Sequence, residues 1–112
     1  MNLLSSYIKA VRRLDAIQHP IPISPLVCRD GFQFSVQASG LHYCTPRKDN
    51  PHEWATFEVG FCSAPEPMFQ IDGTDEIIYD NVPHDLIMKV IEKHKGCLVL
   101  EKYKERNANP IT

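Results

Sequence analysis

The sequence predicts an α+β fold: a small antiparallel sheet of about five strands, an N-terminal helix, and a second helix near residues 83–95. Three observations predict it. An apolar stripe at three- and four-residue spacing opens the chain, and a period of two follows between residues 32 and 61. The strand-like segments are also grouped ahead of the second helical pattern, where a parallel sheet would alternate strands with helices.

The opening stripe is Leu4, Tyr7, Ile8, Val11, Leu14 and Ile17, with Lys9, Arg12 and Arg13 off it, which places a helix within residues 1–18. Pro20, Pro22 and Pro25 each remove a backbone donor and push the preceding residue toward extended geometry, so 19–25 reads as a stiff connector. Leu26–Arg29 and the alternating Phe32, Phe34, Val36, Ala38 flank Asp30-Gly31, a pair suited to a tight hairpin turn. Phe57, Val59 and Phe61 alternate with polar residues and Gly60 in a third strand. After a breaker at 63–67, Met68–Ile71 and Glu76–Asp80 flank Gly73 as a second hairpin. Pro83 fits the first turn of a helix, Asp85 suits its positive end, and Leu86, Ile87, Val90 and Ile91 form its apolar face. Gly96 is the expected stop, Cys97–Tyr103 reads as a returning strand, and 104–112 as a flexible tail.

At 112 residues the chain reads as a single domain, 1–112, with its α+β core over 26–103. One core leaves no second lobe to close over a deep cleft, so a bound small molecule would need a second copy for its other wall. Twelve Lys and Arg against fourteen Asp and Glu give a net charge of −2, which argues against binding a nucleic-acid polymer through its phosphates. No apolar run approaches the roughly 18 residues of a membrane span, and the amphipathic start does not read as a signal peptide. Cys28, Cys44, Cys62 and Cys97 are evenly spread without a C-x-x-C pair, which suits reduced thiols in a cytosol.

Residues 40–54 carry the most unusual chemistry, with His42, Tyr43, Cys44, Arg47, His52 and the single Trp54 in one segment. Arg47 offers a planar fork for a phosphate, and Tyr43 and Trp54 offer faces for a base. Against this, Arg47 could pair with an acidic neighbour, and the two aromatics could cap the sheet. His42, Cys44, His52 and Cys62 match no common zinc spacing, so no metal is expected, nor any cofactor. His42 and Cys44 lack an evident orienting third group for nucleophilic catalysis, and the G-x-S-x-G, P-loop and H-E-x-x-H signatures are missing. Asp72, Asp75, Glu76 and Asp80 lack the order of a calcium loop and read as a solvated acidic hairpin. Asn81 suits a cap or turn and could equally present its amide to a base edge. Phe69 reads as either core or an exposed stacking platform. Arg12, Arg13 and Arg106 read as solvent-facing unless they reach a second subunit.

Three blocks read together carry a resemblance: Ser35-Val36-Gln37-Ala38-Ser39 into His42-Tyr43-Cys44-Thr45-Pro46-Arg47; Phe57-Glu58-Val59-Gly60-Phe61; and Tyr79 through Val82-Pro83 into Val90-Ile91-Glu92-Lys93-His94 and Gly96. Over residues 27–96 the chain resembles the first-described family of Thoeris anti-defence sponges, which are small phage-encoded proteins. The resemblance implies non-catalytic sequestration, in the host cytoplasm, of a cyclic nucleotide-type immune signal. That signal is a cyclic ADP-ribose isomer, with cyclic oligonucleotides at separate sites in some members. It implies a homo-oligomer built from dimers, up to a hexamer, with pockets between subunits. It also implies Arg47 on phosphate, Asn81 on adenine, Phe69 stacking, and Arg12 or Arg13 reaching over from a facing subunit. His42, Tyr43 and Arg106 complete the candidate ligand-binding set. Relatives often carry Pro where Cys62 stands and a second glycine where Lys95 stands, which bears on loop shape and ligand specificity. Two rival readings remain: a small phage inhibitor that binds a host defence protein directly, and a hydrolase of such signals using Cys44 or His42.

Overall fold

The computed structural model describes residues 1–14, 22–70 and 77–108, save for the side chains of Arg13, Leu14 and Ala108. Its element order is α1 (Leu3–Leu14), β1 (Leu26–Val27), β2 (Gln33–Gln37), β3 (Thr56–Gly60), β4 (Ile78–Pro83), α2 (His84–Lys93) and α3 (Leu98–Ala108). The fold is α+β, with an open antiparallel sheet of four strands among the described residues, in the order β1-β2-β3-β4.

Period-two alternation decides what each strand buries. Phe34 and Val36 of β2 and Phe57 and Val59 of β3 turn inward, and Ser35 and Glu58 face outward. Val82 of β4 and Ile87, Val90 and Ile91 of α2 complete that core. The β1–β2 turn forms as its Asp-Gly pair suggests: Gly31 sits at φ 96°, and its N–H donates to Cys28 O at 2.9 Å. At the start of α1, Asn2 Oδ1 accepts the Ser5 N–H at 2.9 Å, satisfying a donor that the helix itself leaves open.

Four expectations are corrected. Cys97–Tyr103 is not a strand, and the described residues form four strands, close to the expected five. Leu100 and Tyr103 lie three apart and face α1, where Tyr103 meets Tyr7 edge-on at 5.6 Å and shares a hydrogen bond with Ser6. The apolar run 97–100 fits a buried strand and a helix start equally well, and packing against α1 decides for the helix. Residues 104–108 accordingly continue α3, and are not a loose tail. Met68–Gln70 is a turn, not a strand of a hairpin, and β4 pairs with β3 instead. Pro83 ends β4 at extended ψ 144° and stands just outside α2. Gly73 and the acidic stretch 72–76, like residues 15–21 and 109–112, lie outside the described residues.

The end of α2 is tied to the rest of the fold by charge. His94 Nδ1 lies 2.6 Å from Asp30 Oδ2, and Nε2 lies 2.6 Å from Glu66 Oε1. The His94 ring stacks on Phe32 at 4.1 Å. Glu66 is buried, and Lys93 Nζ (2.8 Å) and the Met68 N–H (3.0 Å) both donate to its Oε2. Burial opposes the His94 charge, but the hydrogen bonds to Glu66 and Asp30 outweigh it and raise the pKa. The Asp30 carboxyl is held below its ordinary value, chiefly by the Phe32 N–H. Burial works against the Glu66 charge, but Lys93, the Met68 N–H and His94 together hold Glu66 low as well.

The shifts in this cluster predict a pH dependence of stability. The His94 contribution is complete below its ordinary value near 6.5 and is lost as pH rises through the raised folded value. The carboxylate contributions are present above the ordinary carboxylate range and are lost as pH falls through their lowered values. Urea-unfolding midpoints should therefore plateau in mildly acidic buffer and decline on both sides. His94→Gln should flatten the alkaline decline, and equal alkaline slopes in the two proteins would show that His94 is not charged in the fold.

Candidate functional site

The site begins with an irregularity in β4. Phe57 pairs with Val82 and Val59 with Tyr79, so Asp80 and Asn81 together stand opposite the single Glu58. Such a bulge interrupts the ladder and re-aims a side chain. Asn81 sits at φ 52°, in the left-handed region that few residues other than glycine and asparagine enter at low cost. Its N–H leaves the ladder and donates to Tyr43 O at 3.0 Å. Thr45 Oγ1 and Thr56 Oγ1 each donate to Asn81 Oδ1 at 3.0 Å.

Residues 40–54 run without a strand or helix of their own, yet their polar groups are matched by specific partners. The Gly40 N–H donates to Asp49 Oδ1 at 2.7 Å, closing the segment on itself. A Cβ on Gly40 would stand 2.9 Å from that oxygen, so the closure depends on glycine. Trp54 is fully buried, and its indole N–H donates to Lys48 O at 3.1 Å. The Trp54 N–H donates to Ser5 Oγ (2.9 Å), and Ser5 Oγ and Asn2 Nδ2 both donate to Trp54 O (3.2 and 2.7 Å). One turn further along α1, Lys9 Nζ donates to the carbonyls of Pro51 and His52. Lys9 and Arg12 lie over the Trp54 ring, at 5.6 and 5.8 Å from its centre. Positions 2, 5, 9 and 12 share one face of α1, and that face holds the loop.

The exposed corner of this loop gathers four of the candidate residues. The Arg47 guanidinium lies over the Tyr43 ring at 4.8 Å, and no carboxylate among the described residues forms an ion pair with it. Tyr43 is 50% exposed, and its N–H donates to Glu58 Oε2 at 2.9 Å. His42 Nδ1 shares a hydrogen bond with Ser39 Oγ at 2.7 Å. Burial lowers the His42 pKa, Arg12 and Arg47 add to the effect, and Glu58 opposes it, so the ring is neutral near pH 7. Asn81 joins this group through Tyr43 O and Thr45.

The other candidates lie elsewhere. Phe69, left open between core and platform, is core: it is 2% exposed, between Phe34 at 5.6 Å and Tyr79 at 6.1 Å, and offers no face to a ligand. Trp54 likewise belongs to the core. Arg12 packs on the loop of its own chain, where burial lowers its pKa and Asp49 works the other way. Arg13 is on α1, but its side chain lies outside the described residues. Arg106 stands exposed in the last turn of α3, on the element packed against α1 and β1, not on loop 40–54. Thr45, Thr56, Glu58 and Asp49 do positioning work that sequence reading missed, because hydroxyls and carboxylates on a polar strand face look like ordinary solvent-facing residues.

No described group of three or more His, Cys, Asp or Glu is placed to hold a metal ion. Cys44 is buried and hydrogen-bonds the Ser39 carbonyl at 3.2 Å, and burial pushes its pKa up, away from the thiolate. Grooves of about 690 and 550 Å³ flank α3, and no candidate residue lines either one. Among the described residues, no helix is long and apolar enough to cross a membrane. No family model, curated protein or solved structure matches the chain.

The positive φ at Asn81 gives a direct test of the bulge. Asn81→Gly and Asn81→Ala both lose the threonine bonds, but only alanine keeps a Cβ in the left-handed region. The alanine variant should be less stable than the glycine variant by about 1 kcal/mol in urea unfolding. Equal stabilities would mean that the bulge is not held in solution.

Proposed function

We propose that the chain sequesters a cyclic nucleotide-type signal without chemical conversion, using the corner formed by Arg47, Tyr43 and Asn81. The observation that carries this reading is the Arg47 guanidinium. It lies over an exposed aromatic ring, and no carboxylate among the described residues pairs with it to neutralise its charge. Such a group suits the phosphate of a ligand whose flat part stacks nearby. The resemblance to Thoeris anti-defence sponges supplies the ligand class, a cyclic ADP-ribose isomer, and the setting, phage interference with bacterial immunity in the host cytoplasm. The state of Cys44 and His42 fits a holder better than a hydrolase. Burial keeps the thiol protonated, and His42 Nδ1 is engaged by the Ser39 hydroxyl, not by a carboxylate.

The corner is open in a single chain, with Tyr43, Arg47 and Asn81 all exposed. Slow release of a small ligand needs most of its surface covered, and a second copy is the cover this reading requires. Direct binding to a host protein is the second reading, favoured by Leu41, which is 75% exposed beside Tyr43.

Titration calorimetry with cyclic ADP-ribose isomers separates the two. The wild-type chain should bind at micromolar concentration or tighter, and heat denaturation should release the ligand intact. Arg47→Ala should weaken binding roughly tenfold or more, as expected for losing a charge-assisted contact, with stability unchanged within about 0.5 kcal/mol. No heat of binding with any isomer would sink the sponge reading, and recovery of a cleaved product would replace it with a hydrolase.

A further inference from the structure

The resemblance implies that Asn81 reads adenine, which takes one hydrogen bond from the amide N–H and returns one to the amide oxygen. The structure leaves Asn81 unable to do this. Its Oδ1 already accepts from both Thr45 Oγ1 and Thr56 Oγ1 at 3.0 Å, which fills the two lone pairs of an amide oxygen. Its backbone is committed as well: the N–H donates to Tyr43 O at 3.0 Å, and φ is held at 52° by the bulge opposite Glu58. Only Nδ2 is left, and among the described residues no acceptor meets it.

We infer that Thr45 and Thr56 lock the Asn81 amide so that it only donates, and that with Arg47 it forms a donor-only corner selecting an oxyanion, a phosphoryl group, over the edge of a base. Arg47 has no acceptor atom at all. Glu58 opposite the bulge is a competing acceptor, and its Oε2 already takes the Tyr43 N–H at 2.9 Å. Asparagine tolerates the left-handed region better than other non-glycine residues, and the conformation persists where the surroundings over-determine it. Three hydrogen bonds at this one asparagine, two with loop 40–54 and one with β3, do so here. Asn81 is thus a specificity-determining residue, and the two threonines are positioning residues behind it.

The inference rests on the corner being a ligand site, and the test separates the two ideas. Inorganic pyrophosphate and adenosine are titrated separately into ¹⁵N-labelled full-length protein, following the Asn81 side-chain amide and the Arg47 Nε–H by NMR. Pyrophosphate should shift both signals, and adenosine should leave the Asn81 amide unmoved. Asn81→Asp keeps an oxygen for both threonines but replaces the donor with an anion. It should fold with an unchanged urea midpoint and bind pyrophosphate at least tenfold more weakly. Thr45→Val/Thr56→Val, which alters no charge, should free the amide to turn, weaken pyrophosphate severalfold, and let adenosine shift the Asn81 signal. If Arg47 responds to pyrophosphate while Asn81 does not, or if Asn81→Asp binds pyrophosphate like wild type, the donor-only assignment is overturned and the ligand corner stands. If neither signal moves, the corner itself is not a phosphate site, and both ideas fail.

Discussion

Residues 40–54 have no ladder of their own, so their backbone polar groups must find partners one at a time or lose them to water. The reciprocal pair between Ser5 Oγ and the Trp54 backbone meets that need at the most buried point of the segment. Burying the indole takes a large apolar surface out of water and fixes where the loop ends. Asn2, Lys9 and Arg12 then extend the contact along one face of α1. The display of Tyr43 and Arg47 depends on this anchorage. Without it the segment would be a flexible tether, and any ligand would bear the cost of ordering it.

A second constraint acts from the sheet side. A regular β4 would point residue 81 according to the pleat and spend its N–H within the sheet. The extra residue opposite Glu58 breaks the alternation, and the N–H goes to Tyr43 O instead. Loop and strand are thereby joined at one asparagine, with Thr45 contributed by the loop and Thr56 by β3. The same irregularity protects an edge. Among the described strands β4 is the outermost, and a bulge, the charged Asp80 and the closing Pro83 all make it a poor template for a further strand.

The titratable groups divide by role. His94 lies between two carboxylates and against Phe32, so its charge holds the β1–β2 turn, the 63–70 segment and the end of α2 together. Burial, helped by Arg12 and Arg47 against the pull of Glu58, lowers the His42 pKa and favours its neutral form. The two histidines shift in opposite directions because burial dominates at His42, while hydrogen bonds to two carboxylates outweigh it at His94. Neither has the free nitrogen and oriented acid partner of a general base, which agrees with a holding role for the site.

By itself the sequence determined whatever depends on period and on local backbone preference. The stripe from Leu4 to Val11, the alternation of Phe34, Val36, Phe57 and Val59, the Asp30-Gly31 turn and the apolar face of α2 all stand where the pattern puts them. The strangeness of 40–54 was legible too, since His, Tyr, Arg and Trp crowded between prolines need an explanation beyond solubility. Only tertiary structure decided the rest. The run from Leu98 became a helix because α1 offered an apolar surface, with Tyr7 and Ser6 as partners for Tyr103. Phe69 and Trp54 went inside because the sheet and α1 had room for them there. The bulge that turns Asn81 has no signal in composition, because it arises from the pairing offset between two strands. The direction in which an amide donates is set by hydroxyls from residues 25 and 36 positions away. Periodicity is a local property of the chain, and hydrogen-bond complementarity is not, so the elements could be read from the sequence while the chemistry of the site waited for the fold.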